Sequence, residues 1–172
     1  AYRRLVNGGT LSINGNRWQV VVGRGHSPEH ACLFCSALNI LISGDQVIPR
    51  ITSNISVSGS EPEGNPLKEW LKSLEEFLEV LPSDTLVLPA HNTPFYGLHE
   101  RRRYLLEHPE EHLVALEEAC LEGSPSAMDL LPVLFKRPLD GHNQGLALGE
   151  CMTHLDYLHQ RGQIERAVDA QG

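Results

Sequence analysis

The sequence predicts an α/β chain, with short strands first and helices after. Before about residue 98 the apolar residues fall in brief runs closed by Gly, Asn, Asp or Pro, whereas beyond it they recur at helical spacing. Within the first part, one amphipathic stretch beginning at Asn65 separates two such runs.

Residues 10–22, "TLSINGNRWQVVV", read as two strands around Asn14-Gly15, the dipeptide best suited to a two-residue hairpin. "HACLFCSALNILISGDQVIP" holds a strand ending near Cys35, a polar break at 36–39, and a strand "ILIS" that stops at Gly44-Asp45. Asn65 is a suitable N-cap and Pro66 a suitable first helical residue. Leu67, Trp70, Leu71, Leu74, Phe77, Leu78 and Leu81 then share one helical face, and "TLVLP" is a further buried strand. Later helices are expected at 98–107, 109–121, 126–136 (broken or kinked at Pro132) and 144–160, with Ala147, Cys151, Leu155 and Leu158 on one face of the last. Gly162 stops that helix, and "QIERAV" is expected as a terminal strand. Helices followed by a short strand resemble a winged-helix unit. The expected division is 1–98 and 99–172.

Composition narrows the function. The 172 residues are 41% apolar, enough for a core, and carry a formal net charge of −8. Apart from Arg101-Arg102-Arg103, expected on a solvated helix face, basic residues do not cluster, which disfavours a nucleic-acid backbone as partner. No apolar run approaches the roughly 20 residues that span a bilayer, and no secretory leader is visible, so a cytoplasmic protein is expected. Cys32 and Cys35 form a C-x-x-C, but within a strand pattern and with no second pair; with Cys120 and Cys151 they are expected as ordinary buried thiols. "NIS" at Asn54 then carries no meaning as a glycosylation signal.

The chemistry-bearing pattern is positional. His26 follows "WQVVV" through a Gly-rich turn, Asp45 follows "ILIS", and His91 follows "TLVLP". Each is the first ionisable group past the carboxyl end of an expected strand, where a rigid sheet holds functional loops. Singly each could be a turn residue; together, two histidines and a carboxylate suit zinc, manganese or iron. His30 is a candidate for orienting a ligand, although a packing role is equally open.

"GRGHSPEHACLF", "ILISGDQVIPRIT" and "LVLPAHNTPF", in that order, resemble the carboxyl-terminal half of the metallo-β-lactamase superfamily, in its glyoxalase II-like branch. The resemblance spans residues 5–98, and the helical tail resembles the extension many such hydrolases carry. It implies half of an αββα sandwich plus a winged-helix-like tail. It also implies that His26 belongs to the three-histidine set of a first metal, that Asp45 is the catalytic carboxylate bridging two divalent ions, zinc foremost, and that His91 binds the second. The implied reaction is hydrolysis of a small-molecule ester, thioester or related bond by metal-bound hydroxide. Glu29 stands where the family commonly has glycine, and Ala90 and Asn92 replace the glycines flanking the last histidine, which leaves the loop shapes open.

The family's leading His-x-His-x-Asp-His has no counterpart in residues 1–25, and the chain opens Ala-Tyr-Arg-Arg. The expectation is therefore a fragment with an incomplete metal site, inactive alone, that either joins the missing amino-terminal half or forms a homodimer. The alternatives are a non-catalytic nucleic-acid- or protein-binding module acting through the tail, or a nuclease in the intact protein. "HPEEH" at 108–112 matches an inverted zinc-peptidase pattern, but Pro109 is expected to leave His108 outside the helix. His99, His142, His154 and His159 show no partner at metal-ligand spacing.

Overall fold

The computed structural model describes residues 2–57 and 61–167, apart from the side chains at 78, 79 and 142. The chain divides into two compact units, one of residues 1–53 with 69–106 and one of 54–68 with 107–172.

The first unit is built on a five-stranded sheet in the order β1-β2-β3-β4-β5. β1 (Thr10–Ile13) and β2 (Asn16–Gly23) meet across the Asn14-Gly15 turn, where both residues take positive φ (49° and 79°), as the tight hairpin requires. β3 (His30–Cys35) and β4 (Ile40–Gly44) extend the antiparallel meander, and β5 (Leu86–Pro89) pairs parallel with β4, Leu41 opposite Val87. Because β2, β4 and β5 point the same way, their carboxyl ends share one edge of the sheet.

The pleat separates the residues into two faces. Val21, Cys32, Phe34, Leu41, Ser43 and Val87 share a buried face. α1 (Pro66–Val80) lies over it, since Gln19 and Val21 line a small cleft together with Glu76, Phe77 and Val80. The helix starts where expected: Asn65 Oδ1 accepts the Lys68 N–H at 3.0 Å, and Pro66 fills the first position. The start of α2 (Leu98–Leu121) adjoins α1, with Arg102 donating to the Leu74 carbonyl and His99 Nε2 lying 3.0 Å from that of Leu81. The opposite face is apolar but less covered. Trp18, Val20 and Cys35 are buried, yet Val22, Leu33, Ile40 and Leu88 are half-buried and Ile42 is 39% exposed.

The second unit is helical. Residues 54–65 lie along α4 (Gly141–Gln160): Asn54 donates to the Leu146 carbonyl, Val57 N–H to Thr153 Oγ1, and Asn65 to the Gln160 side chain. Leu113, Leu116, Leu130, Leu131, Ala147, Cys151 and Leu158 are its buried apolar groups.

The helices differ from expectation in several places. The patterns at 98–107 and 109–121 are one helix, α2, with Pro109 inside it. A proline there removes a hydrogen bond and costs about 3 kcal/mol. Pro109 is itself buried, and burial of Leu105, Leu113 and Leu116 along the helix offsets that cost. The expected helix at 126–136 is a turn followed by the short α3 (Leu131–Leu134). Ser126 and Asp129 bond reciprocally to each other's backbone N–H, and Pro132 opens the helix instead of kinking it. α4 begins before residue 144 because Asp140 caps the Asn143 N–H at 2.9 Å. No strand follows α4 among the described residues: 163–167 are turn and coil, and Val168, the end of the expected strand, lies outside them. The wing of a winged helix is thus absent from the described residues.

Candidate functional site

Three loops leave the shared sheet edge, and each brings one residue of the positional pattern. The two nitrogens and two oxygens that matter are close: Asp45 Oδ2 is 3.6 Å from His26 Nε2, and Asp45 Oδ1 is 3.2 Å from His91 Nε2. One carboxylate therefore divides its oxygens between two imidazoles.

Local structure explains why these residues meet. Gly44 has φ 55°, and a Cβ there would run into His30 Nε2, so backbone conformation and space both demand glycine. The space serves His30, whose Nε2 accepts the Asp45 N–H at 3.2 Å while its Nδ1 lies 3.4 Å from Ser27 Oγ. Burial, and next the neighbouring His26, hold the His30 imidazole below its ordinary pKa, in keeping with a neutral ring that accepts. The Ser53 hydroxyl donates to the Asp45 carbonyl. Gln46 is fully buried; its Nε2 donates to the Arg24 carbonyl, tying the chain after Asp45 to the turn that leads to His26. Its Oε1 has no hydrogen-bond partner, and its side chain fills the volume a Cβ on Gly23 would need.

His91 is held by a folded-back loop. Val87 and Phe95 exchange backbone hydrogen bonds at 2.9 and 3.0 Å, and the Ala90 N–H donates to the Gly44 carbonyl. Asn92 has φ 68°, so it takes the left-handed conformation for which glycine is the usual choice and asparagine a tolerated one. Asn92 thus takes a conformation open to glycine, Ala90 and Glu29 need no positive φ, and Glu29 pairs with Arg4 at 2.6 Å.

Whether these donors fit metal ions is a question of number and spacing. Two atoms bound to one zinc at about 2.0–2.1 Å lie roughly 3.3 Å apart in tetrahedral geometry. The His26–Asp45 and Asp45–His91 separations bracket that value. Donor type and spacing suit a carboxylate shared between two cations. Among the described residues each cation would nevertheless find one imidazole and one oxygen, short of the three protein ligands a catalytic zinc takes. Among the described residues no group of three or more His, Cys, Asp or Glu could hold a metal ion. This chain's donors fit part of such a site and do not close it.

Other candidates resolve differently. Cys32 and Cys35 lie on opposite faces of β3, and all four cysteines are free thiols; burial pushes the Cys32 thiol up to about 12. "HPEEH" departs from expectation, because α2 continues through Pro109 and sets His108 and His112 on one face, ring centroids 4.5 Å apart. His154 of α4 joins them, 5.4 Å from His112, a juxtaposition that spacing in the sequence did not suggest. Its Nδ1 lies 2.8 Å from the Glu150 carbonyl. Burial, then His154 and His108, push His112 down to about 4, and burial pushes Glu150 up to about 7. His99 and His159 meet backbone carbonyls, and the His142 side chain lies outside the described set. Of the arginine run Arg103 is exposed as expected, whereas Arg101 and Arg102 are half-buried and turn onto backbone carbonyls. No helix among the described residues is long and apolar enough to cross a membrane.

Comparison with known proteins agrees with this architecture. Residues 113–172 match the family "Metallo-beta-lactamase-like, C-terminal domain". A beta-lactamase domain protein from Burkholderia ambifaria is 43% identical, with a TM-score of 0.93 over 100% of this chain and 51% of its own. A metallo-beta-lactamase family protein from Thermus thermophilus is 28% identical, with a TM-score of 0.83 over 95% of this chain and 51% of its own. An uncharacterized protein from Aquifex aeolicus is 30% identical over 87 residues, 51% of this chain and 39% of that protein. Among the described residues five strands and four helices form a metallo-beta-lactamase-like fold, and the chain spans about half the length of the solved proteins it resembles.

Proposed function

We propose that this chain supplies one half of a metal-dependent hydrolase of the metallo-β-lactamase kind. The observation that carries the reading is Asp45, whose two oxygens each face one imidazole at the sheet edge where three strands end. In the intact protein His26 and Asp45 would serve one divalent ion and Asp45 and His91 the other, the remaining ligands coming from a polypeptide outside this chain. Such ions, zinc first among them, polarise a substrate carbonyl and lower the pKa of water. This chain's own residues contribute position: His30 and Ser53 fix the Asp45 peptide from both sides. The substrate class we favour is a small ester or thioester, in the manner of the glyoxalase II-like branch.

In this reading the other half would need a surface on which to dock. The half-buried sheet face of Val22, Leu33, Ile42 and Leu88 suits an apolar layer supplied by the other half of the fold, or by a second copy when that half is absent. The test is metal content per chain by elemental mass spectrometry in the protein carrying both halves, beside Asp45→Asn and His91→Ala. We expect close to two equivalents in the parent, loss of both in Asp45→Asn, and loss of one in His91→Ala, with thioester turnover falling in parallel. A parent without metal, or an Asp45→Asn variant that keeps both ions, would sink the reading.

A further inference from the structure

Beyond Asp45 the chain enters 46–53, a stretch with neither helix nor strand. Its ends are secured near the site: the Gln46 N–H and the Ser43 carbonyl close a turn, Ser43 Oγ donates to the Val47 carbonyl at 2.8 Å, and Ser53 Oγ returns to the carbonyl of Asp45. Val47 and Ile48 are buried, whereas Ile51 is exposed. The middle of this loop is reached from α2. Arg101 donates through Nε to the Ile48 carbonyl and through a terminal nitrogen to the Ile51 carbonyl, both at 2.7 Å, with its guanidinium 4.9 Å from the centre of the Tyr104 ring.

We infer that Arg101 is the clasp of the 46–53 loop, and through it a positioning residue for Asp45 between His26 and His91. The inference rests on the proposed role of Asp45 as a shared ligand. A guanidinium is suited to this task because its donors are fixed in one plane and can serve two carbonyls at once. An ammonium on a flexible stem is a point charge that can satisfy both only by giving up the geometry of each. Charge-assisted bonds of this length are also about twice as strong as neutral ones. Asp45 has to hold each oxygen at a set distance from a different imidazole, and a loose loop behind it would let the carboxylate swing toward one histidine at the expense of the other. The clasp removes that freedom from a distance, without touching any proposed ligand.

The test compares Arg101→Lys and Arg101→Gln with the parent, in the protein carrying both halves of the fold. Two readouts are taken: amide hydrogen exchange over 46–53, and zinc retention against a graded chelator. We expect exchange in 46–53 to quicken at least tenfold in both variants while β2 and β3 keep their protection, and zinc retention to weaken roughly 10- to 100-fold, as for other residues that hold ligands in place. If Arg101→Gln loosens the strands as well, Arg101→Lys, which keeps the stem and charge, carries the comparison. Unchanged exchange over 46–53 in Arg101→Lys overturns the clasp. A loosened loop with undiminished zinc retention overturns its link to Asp45. A parent that retains no zinc refutes the proposed function separately, and the exchange comparison then decides the clasp alone.

Discussion

Glu150 offers a test of the second unit that is independent of any metal. Burial raises its carboxyl from 4.5 to about 7. The folded chain therefore holds a proton that the unfolded chain has released between those values. The stability tied to this proton is fully present below pH 4.5 and lost as pH rises through 7. At 1.36 kcal/mol per pH unit the whole loss is about 3 kcal/mol. Glu150→Gln keeps the shape and abolishes the titration, so it should stabilise the protein by about 2–3 kcal/mol at pH 8 and by almost nothing at pH 4.5. His112 works in the opposite direction. Held down to about 4, it stays neutral in the fold, and its contribution is lost as pH falls from 6.5 to 4. Because its ring is only half-buried, solvent screening limits that loss to about 1–2 kcal/mol. In the parent the two trends oppose each other over overlapping intervals; in Glu150→Gln the opposition is gone, His154 is held down by burial as His112 is, and stability should climb with pH up to 6.5. Urea unfolding of both proteins at pH 4.5, 6 and 8 measures this. A gain at pH 8 that persists unchanged at pH 4.5 would refute the reasoning, since it would have to come from packing and not from a proton.

Further outcomes are expected. Gly44→Ala should lower stability by about 3 kcal/mol and displace His30, because the added Cβ meets both an unfavourable φ and an occupied volume; thermal melting with and without zinc reads both effects. His30→Ala should leave the Asp45 N–H without its acceptor and weaken zinc retention 10- to 100-fold in the protein carrying both halves, measured by chelator competition. This chain alone should self-associate through the open sheet face, and Ile42→Glu should shift it toward monomer in light scattering, whereas a parent that is already monomeric at high concentration would speak against the docking proposal. Cys120 should be alkylated before Cys32, Cys35 and Cys151, which stay buried until the protein unfolds; mass spectrometry after timed labelling gives the order.

The strand half was legible because local chemistry and global packing agree there. Asn14-Gly15 reaches the two positive φ values of the hairpin turn at little cost, and Asn65-Pro66 starts α1 as an N-cap and first helical residue should. His26, Asp45 and His91 could be placed at strand ends from spacing alone, but their mutual distances follow from strand order and direction, which no short pattern encodes. The helical half was harder. Pro109 reads as a boundary, and only burial along α2 shows why the helix runs on; Pro132 reads as a kink and is a start. Arg101 lies in a run of like charges whose average is a wet surface, and the carbonyls it serves are some fifty positions away. His112 and His154 are similarly separated along the chain and meet only because α2 and α4 bring them together.

The parallel pairing of β4 with β5 bears on the order in which the molecule is assembled. β1 to β4 form a meander of sequence neighbours and need only short loops to close. β5 can join only after the long 46–85 connection, which carries α1, has been closed, a pairing of high contact order. Strand order makes the four-stranded meander that carries Asp45 the expected earlier event and the arrival of His91 the later one. Docking of the last strand is then the event that brings the second imidazole to the carboxylate, so the polar cluster is completed only when the sheet is.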